Sequence, residues 1–174
     1  MIHVRPPEVD DRQVPGHWEG DFIKGAANRS AVGTLVERSS RFILLAQMDD
    51  CTSLAALYGF TRLLQTVAPA MRKTMTYDRG SEMARHRDLA TANNIRVYFA
   101  DPYSPWQRGS NENANGLVRE YLPKGADLSA VSQAELNAIA NRLNERPRRI
   151  LNYQTPRAIF AKLLADEQLK TAMK

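Results

Sequence analysis

Three acidic residues stand where acids are hard to explain by solubility alone: Asp21, Asp78 and Glu112. Asp21 lies in the run Trp18-Glu19-Gly20-Asp21-Phe22-Ile23, and Asp78 closes Thr74-Met75-Thr76-Tyr77-Asp78 before Arg79-Gly80-Ser81 breaks it. Both runs read as strands. A buried strand carries a carboxylate only at a large desolvation cost unless the acid is paired or holds a cation. Three such carboxylates together imply a metal site, and an all-oxygen ligand set suits Mg²⁺ or Mn²⁺. Two such ions a few ångströms apart can activate an attacking oxygen and stabilise a leaving one in phosphodiester chemistry. The chain has 19 acidic residues, so residue type alone singles out nothing; the 33 residues between Asp78 and Glu112, and the wording around them, carry the information.

Glu112 follows the loop Asp101-Pro102-Tyr103-Ser104-Pro105-Trp106-Gln107-Arg108-Gly109. Two prolines and a glycine forbid regular structure there, and the Ser110 hydroxyl is suited to accept a backbone N–H and open a helix. At 3.6 residues per turn, Glu112, Asn115, Gly116 and Arg119 share one face of that helix, while Ala114, Leu117, Val118 and Tyr121 share the other. Glu112 therefore faces away from the core. A glutamate near a helix start is also favoured by the helix dipole, so its role depends on what the two strands bring near it.

Four ordered motifs resemble the DDE transposases and integrases, specifically the IS-thirty family of bacterial insertion-sequence transposases. They are Gly16-His17-Trp18-Glu19-Gly20-Asp21; Tyr77-Asp78-Arg79-Gly80-Ser81-Glu82; Tyr103 through Gly116; and Asn144-Glu145-Arg146-Pro147-Arg148-Arg149-Ile150-Leu151-Asn152-Tyr153-Gln154-Thr155-Pro156. The likeness spans roughly residues 14 to 164. It implies a ribonuclease-H-like α/β fold, a mixed five-stranded sheet flanked by helices, in which the first and fourth strands are neighbours and set Asp21 beside Asp78. It also implies the catalytic core of a transposase, with Asp21, Asp78 and Glu112 holding two Mg²⁺ or Mn²⁺ ions. Water and then a DNA 3′-hydroxyl would attack phosphodiesters at transposon ends and target, on a homo-oligomer assembled on DNA. The competing expectations are another ribonuclease-H-like nuclease and a non-catalytic DNA-binding regulator; the loop from Tyr103 to Asn115 opposes the first and the intact acidic triad the second. Members of this family usually carry an N-terminal helix-turn-helix region, and no such region is evident, so the chain reads as an excised core.

The net charge of +5 is unevenly spread: residues 1 to 104 hold 13 basic and 12 acidic residues, and residues 105 to 174 hold 11 and 7. The excess after the loop suits a phosphate-facing strip of Arg108, Arg119, Lys124, Arg142, Arg146, Arg148 and Arg149, with Asn115 on the same helix face as Glu112. A solvated surface is the plainer alternative for the same charges. The single cysteine, Cys51, excludes an internal disulfide and a cysteine-based zinc cluster. No apolar run approaches the ~20 residues that span a membrane, and the first residues lack a signal-peptide core, so a soluble cytoplasmic chain is expected.

Taken in order, residues 1–15 read as an exposed lead-in, 16–165 as one domain, and 166–174 as a flexible tail. Strands are expected at His17–Ile23, Val32–Glu37, Phe42–Met48, Thr74–Asp78 and Ile95–Ala100, with the second and third forming a hairpin. Helices are expected at Ser53–Val67, Glu82–Asn93, from Ser110, at Gln133–Asn144 and from Thr155-Pro156. In the first helix, the apolar residues Leu54, Leu57, Tyr58, Leu64 and Val67 fall near helical spacing. Trp18 reads as packing and Trp106 as either a loop anchor or a DNA contact. Glu19 and Glu82 read as surface residues, with spare metal ligation as their alternative.

Overall fold

The computed structural model describes residues 1–174. Five strands form one sheet: β1 His17–Lys24, β2 Ala31–Glu37, β3 Ile43–Gln47, β4 Thr74–Tyr77 and β5 Arg96–Phe99, in the spatial order β3-β2-β1-β4-β5. The first three pair antiparallel, whereas β1 with β4 and β4 with β5 pair parallel. The switch follows connection length. A short turn joins β2 to β3, while β4 and β5 are reached through helical crossovers.

Alternation along β1 decides what each face buries. Trp18 and Phe22 point to a core with Leu35, Phe60, Leu64, Met71, Met75, Tyr77 and Leu89, covered by α1 (Ser53–Gln65) and α2 (His86–Asn93). His17, Glu19, Asp21 and Ile23 alternate with these residues. Ile23 joins a second core with Val32, Val36, Ile43, Leu45, Ala114, Val118, Leu136 and Leu143, under α3 (Gly109–Val118) and α4 (Gln133–Asn144). A fifth helix, α5 (Pro156–Ala172), brings Phe160 against Trp18 and Phe42 and ties Glu167 to Lys73 at 2.7 Å. Residues 166–174, expected as a tail, thus continue α5 as far as Ala172. The lead-in 1–15 runs largely exposed but is fastened by buried Val9, by Arg5 donating to the Thr76 hydroxyl, and by Ser39 donating to the Val14 carbonyl.

Other expectations need correcting. The buried face of α1 is Ala55, Ala56, Gly59, Phe60, Leu63 and Leu64, and both Leu54 and Tyr58 are exposed. The contact stripe combines Ala55, Ala56 and Gly59, small residues that let the helix sit close on the sheet, with Phe60, Leu63 and Leu64. Glu19 and Glu82 are both buried instead of lying on the surface. Ser110 does not cap α3. The helix starts at Gly109 with no side-chain cap of its own, and the buried Ser110 hydroxyl accepts from Arg41.

Candidate active site

Because β1 and β4 are parallel neighbours, with Glu19 opposite Thr76, their C-terminal halves set Asp21 and Asp78 at one end of the sheet. Backbone amides fix both carboxylates. Phe22 N–H donates to Asp21 Oδ1 at 2.8 Å, and Gly80 N–H donates to Asp78 Oδ1 at 3.0 Å. On the other oxygens the two acids share one cation: the Arg108 guanidinium lies 3.6 Å from Asp21 Oδ2 and 3.3 Å from Asp78 Oδ2. Burial raises the Asp21 pKa; Arg108 and the hydrogen bonds from Phe22 and Asn115 oppose that shift, and the nearby Asp78 adds to it. A cation between these carboxylates therefore relieves a real electrostatic cost.

Helix α3 lies along β1, and their repeats match. Two residues of strand rise about 6.6 Å and four of helix about 6 Å, so positions 19 and 21 face positions 111 and 115. At the first rung, Asn111 N–H donates to Glu19 Oε2 at 2.8 Å, and Asn111 Nδ2 donates to the Glu19 carbonyl at 2.9 Å. At the second, Asn115 Nδ2 donates to Asp21 Oδ2 at 3.0 Å. Thr34, opposite Asp21 on β2, donates to Asn115 Oδ1 at 3.0 Å and accepts from Asn111 Nδ2 at 3.3 Å. The Glu19 carboxylate, 0% exposed and paired with Arg38, thus replaces the missing local cap of α3. Arg38 in turn donates to the carbonyls of Val9, at 3.0 Å, and Gln107, at 3.3 Å, and so joins the lead-in and the α3 loop to β1.

This clasp of Glu19, Arg38, Thr34 and Asn111 is the part of the site that the reading of single residues missed. A signal was present: acids at 19 and 21 and asparagines at 111 and 115 are spaced as a strand face and a helix face must be to meet.

The structure unites Asp21 and Asp78 on one cation but leaves Glu112 exposed, three residues before Asn115 on the same helix face. No three of the chain's His, Cys, Asp and Glu side chains converge on a common point. The donor chemistry nevertheless fits a cation: each aspartate has one oxygen anchored by a backbone amide and turns the other toward a positive group. Of the basic residues assigned to DNA, Arg108 faces the carboxylates. Arg119 donates to the carbonyls of Lys24 and Leu122, Arg148 to that of Leu143, and Arg146 pairs with Glu120 at 3.0 Å. Lys124, Arg142 and Arg149 are exposed. Trp106, 71% exposed, is no loop anchor. A cavity of about 300 Å³ beside Arg108 is lined by Asp78, Arg79, Asp101, Tyr103 and Ser104. No helix is long and apolar enough to cross a membrane.

Residues 11–105 match the family model of the integrase core domain. The chain is 61% identical over 165 residues to the transposase for insertion sequence element IS1086 of Cupriavidus metallidurans, covering 95% of this chain and 49% of that protein. It is 42% identical over 164 residues to the transposase InsI for insertion sequence element IS30A of Escherichia coli, covering 94% and 43% respectively. The chain thus spans about half the length of the curated relatives it matches. The catalytic core domain of BIV integrase superposes with a TM-score of 0.65 at 21% identity, over 90% of this chain and 98% of that one, and shares its fold. That fold is the ribonuclease-H-like one, a mixed five-stranded sheet with flanking helices.

Proposed function

We propose, for a chain that belongs to the integrase core family and within it to the IS30 group of DDE transposases, that residues 16–165 are the catalytic core of a DNA transposase. Its reaction is divalent-metal-dependent cleavage of transposon ends and their transfer into target DNA, carried out by a homo-oligomer on DNA in the cytoplasm. The observation that carries this reading is the pair of anchored carboxylates, Asp21 and Asp78, on adjacent parallel strands and facing one cation.

Asp21, Asp78 and Glu112 are assigned as the metal ligands. Two Mg²⁺ or Mn²⁺ ions held there would supply activation of the attacking oxygen and charge stabilisation of the leaving one. The chain's own contribution is positioning. Amides of Phe22 and Gly80 hold one oxygen of each aspartate, and Asn115 orients the other Asp21 oxygen while tying it to the helix of Glu112. Low mobility of these groups before substrate arrives is what makes their fields effective in the transition state. Exposed Lys124, Arg142 and Arg149 are suited to DNA phosphates, and Arg119, Arg146 and Arg148 support the surface that presents them.

The test is Mn²⁺-dependent joining of a pre-cut, transposon-end oligonucleotide to a plasmid by this chain. Joined products that vanish in Asp78→Asn are expected. Joining by Asp78→Asn at the wild-type rate would remove that residue from the chemistry.

A further inference from the structure

The contacts that Arg108 makes between the two aspartates are unusually long for a buried ion pair. Its side chain is 13% exposed, yet its nitrogens stand 3.6 Å from Asp21, 3.3 Å from Asp78 and 3.4 Å from the Gly20 carbonyl. Charge-assisted hydrogen bonds of a settled pair lie near 2.7–2.9 Å. The guanidinium sits midway between two carboxylates and is close to neither. It occupies the space that a small divalent cation would need, since such an ion takes carboxylate oxygens at about 2.1 Å and repels a neighbouring positive charge.

Arg108 also has somewhere to go. It borders the cavity of about 300 Å³ lined by Asp78, Arg79, Asp101, Tyr103 and Ser104, with Arg79 as a second cation on its wall. A guanidinium presents its donors as a fork that matches two phosphate oxygens, and a divalent ion cannot do this.

We propose that Arg108 is the resident counter-ion of the Asp21–Asp78 pair: a divalent metal evicts its guanidinium, and the freed fork takes a phosphodiester of DNA at the adjacent cavity. The inference rests on the metal and DNA reading above and adds a coupling to it. The metal releases the arginine that DNA needs, and DNA retains the arginine that the metal must displace, so each ligand strengthens the other by the same factor.

Calorimetric titration of MnCl₂ into the metal-free chain without DNA separates this idea from the reading beneath it. Wild type, Arg108→Ala, Arg108→Gln and Asp78→Asn are compared, each first checked for a cooperative melt. Both Arg108 variants should bind Mn²⁺ about tenfold more tightly than wild type, since no resident cation has to leave. In fluorescence anisotropy with a labelled duplex, Mn²⁺ should raise the affinity of wild type about tenfold and that of the Arg108 variants much less. Mn²⁺ binding that is lost in Asp78→Asn but unchanged or weakened in both Arg108 variants would overturn the counter-ion role and leave the metal site standing. Equal Mn²⁺ binding in Asp78→Asn and wild type would overturn the metal assignment itself, and the counter-ion role with it.

Discussion

Strand β1 carries two acids on one face, two residues apart, and each is paired with an arginine; the two pairs have opposite characters. Glu19 is sealed: it is fully buried, bonded to Arg38, and accepts the Asn111 amide at 2.8 Å. Asp21 is half-open, and its arginine stands at 3.6 Å. Every oxygen of Glu19 has a partner from the folded chain, so that end of the strand can do nothing except hold α3. Asp78 keeps an oxygen met only by Arg108, at 3.3 Å, and Asp21 Oδ2 is held by the Asn115 amide at 3.0 Å with its arginine farther off. The same two chemical groups, carboxylate and guanidinium, thus make a clasp where the geometry closes and a receptive site where it stays open.

The sharpest way to break the comparison is to neutralise each acid. Asp21→Asn or Asp78→Asn should lower metal-dependent strand transfer by at least about 10³-fold, because the proposed metal site loses a charged ligand. Their thermal melts should stay within a few degrees of wild type, as read by circular dichroism. Glu19→Gln should behave the other way. It leaves the buried Arg38 charge with only the exposed Asp10 carboxylate, at 3.8 Å, as counter-ion, and urea unfolding should show a loss of about 3–5 kcal/mol, or roughly 10 °C in Tm for a domain of this size.

Acid should find the sealed end as well. His17, on the same face of β1, is 2% exposed and bonds through Nδ1 to the Thr74 hydroxyl at 2.8 Å. Burial, helped by Lys73, Arg38 and Arg5, depresses its pKa from 6.5 to about 4. The unfolded chain therefore takes up a proton that the folded chain refuses. The contribution is fully present above about pH 6.5 and is lost as the pH falls towards 4, amounting to about 3 kcal/mol. Urea unfolding at pH 7.5 and 4.5 measures it, and His17→Gln should flatten that dependence. The exposed limit of the series is Arg146, paired with Glu120 at 3.0 Å on the surface. Arg146→Ala should change stability by less than about 1 kcal/mol in the same assay.

Much of this was legible in the sequence, for physical reasons. All five strands fall within a residue or two of their expected bounds, because period-two runs broken by glycine, proline and serine leave few alternatives. Asp21 and Asp78 stood out because a strand should not bury an unpaired acid. Glu19, on the same strand, was read as a surface residue, since its partners lie 19 and 92 residues away, beyond what local spacing reports. Ser110 has the residue type of a helix cap, but the helix begins one residue earlier, at Gly109, and the Ser110 hydroxyl accepts from Arg41 instead. Arg108 was assigned to DNA from its charge alone; its place between two carboxylates depends on the parallel pairing of β1 with β4.

The borrowed cap of α3 also bears on how the molecule folds. The helix reads Gly-Ser-Asn-Glu-Asn-Ala-Asn-Gly-Leu-Val, with two glycines and three asparagines in ten residues, and has no local cap. A segment of that composition and length does not persist alone in water. The Asn111 amide in its first turn is satisfied only after β1 has been laid down some ninety residues upstream, and closing so long a loop is slow. In native-state hydrogen exchange, the amides of α3 should therefore open together with the β1–β2 sheet and not by independent fraying. Glu112, on that helix, thus gains its fixed position only when the sheet is complete.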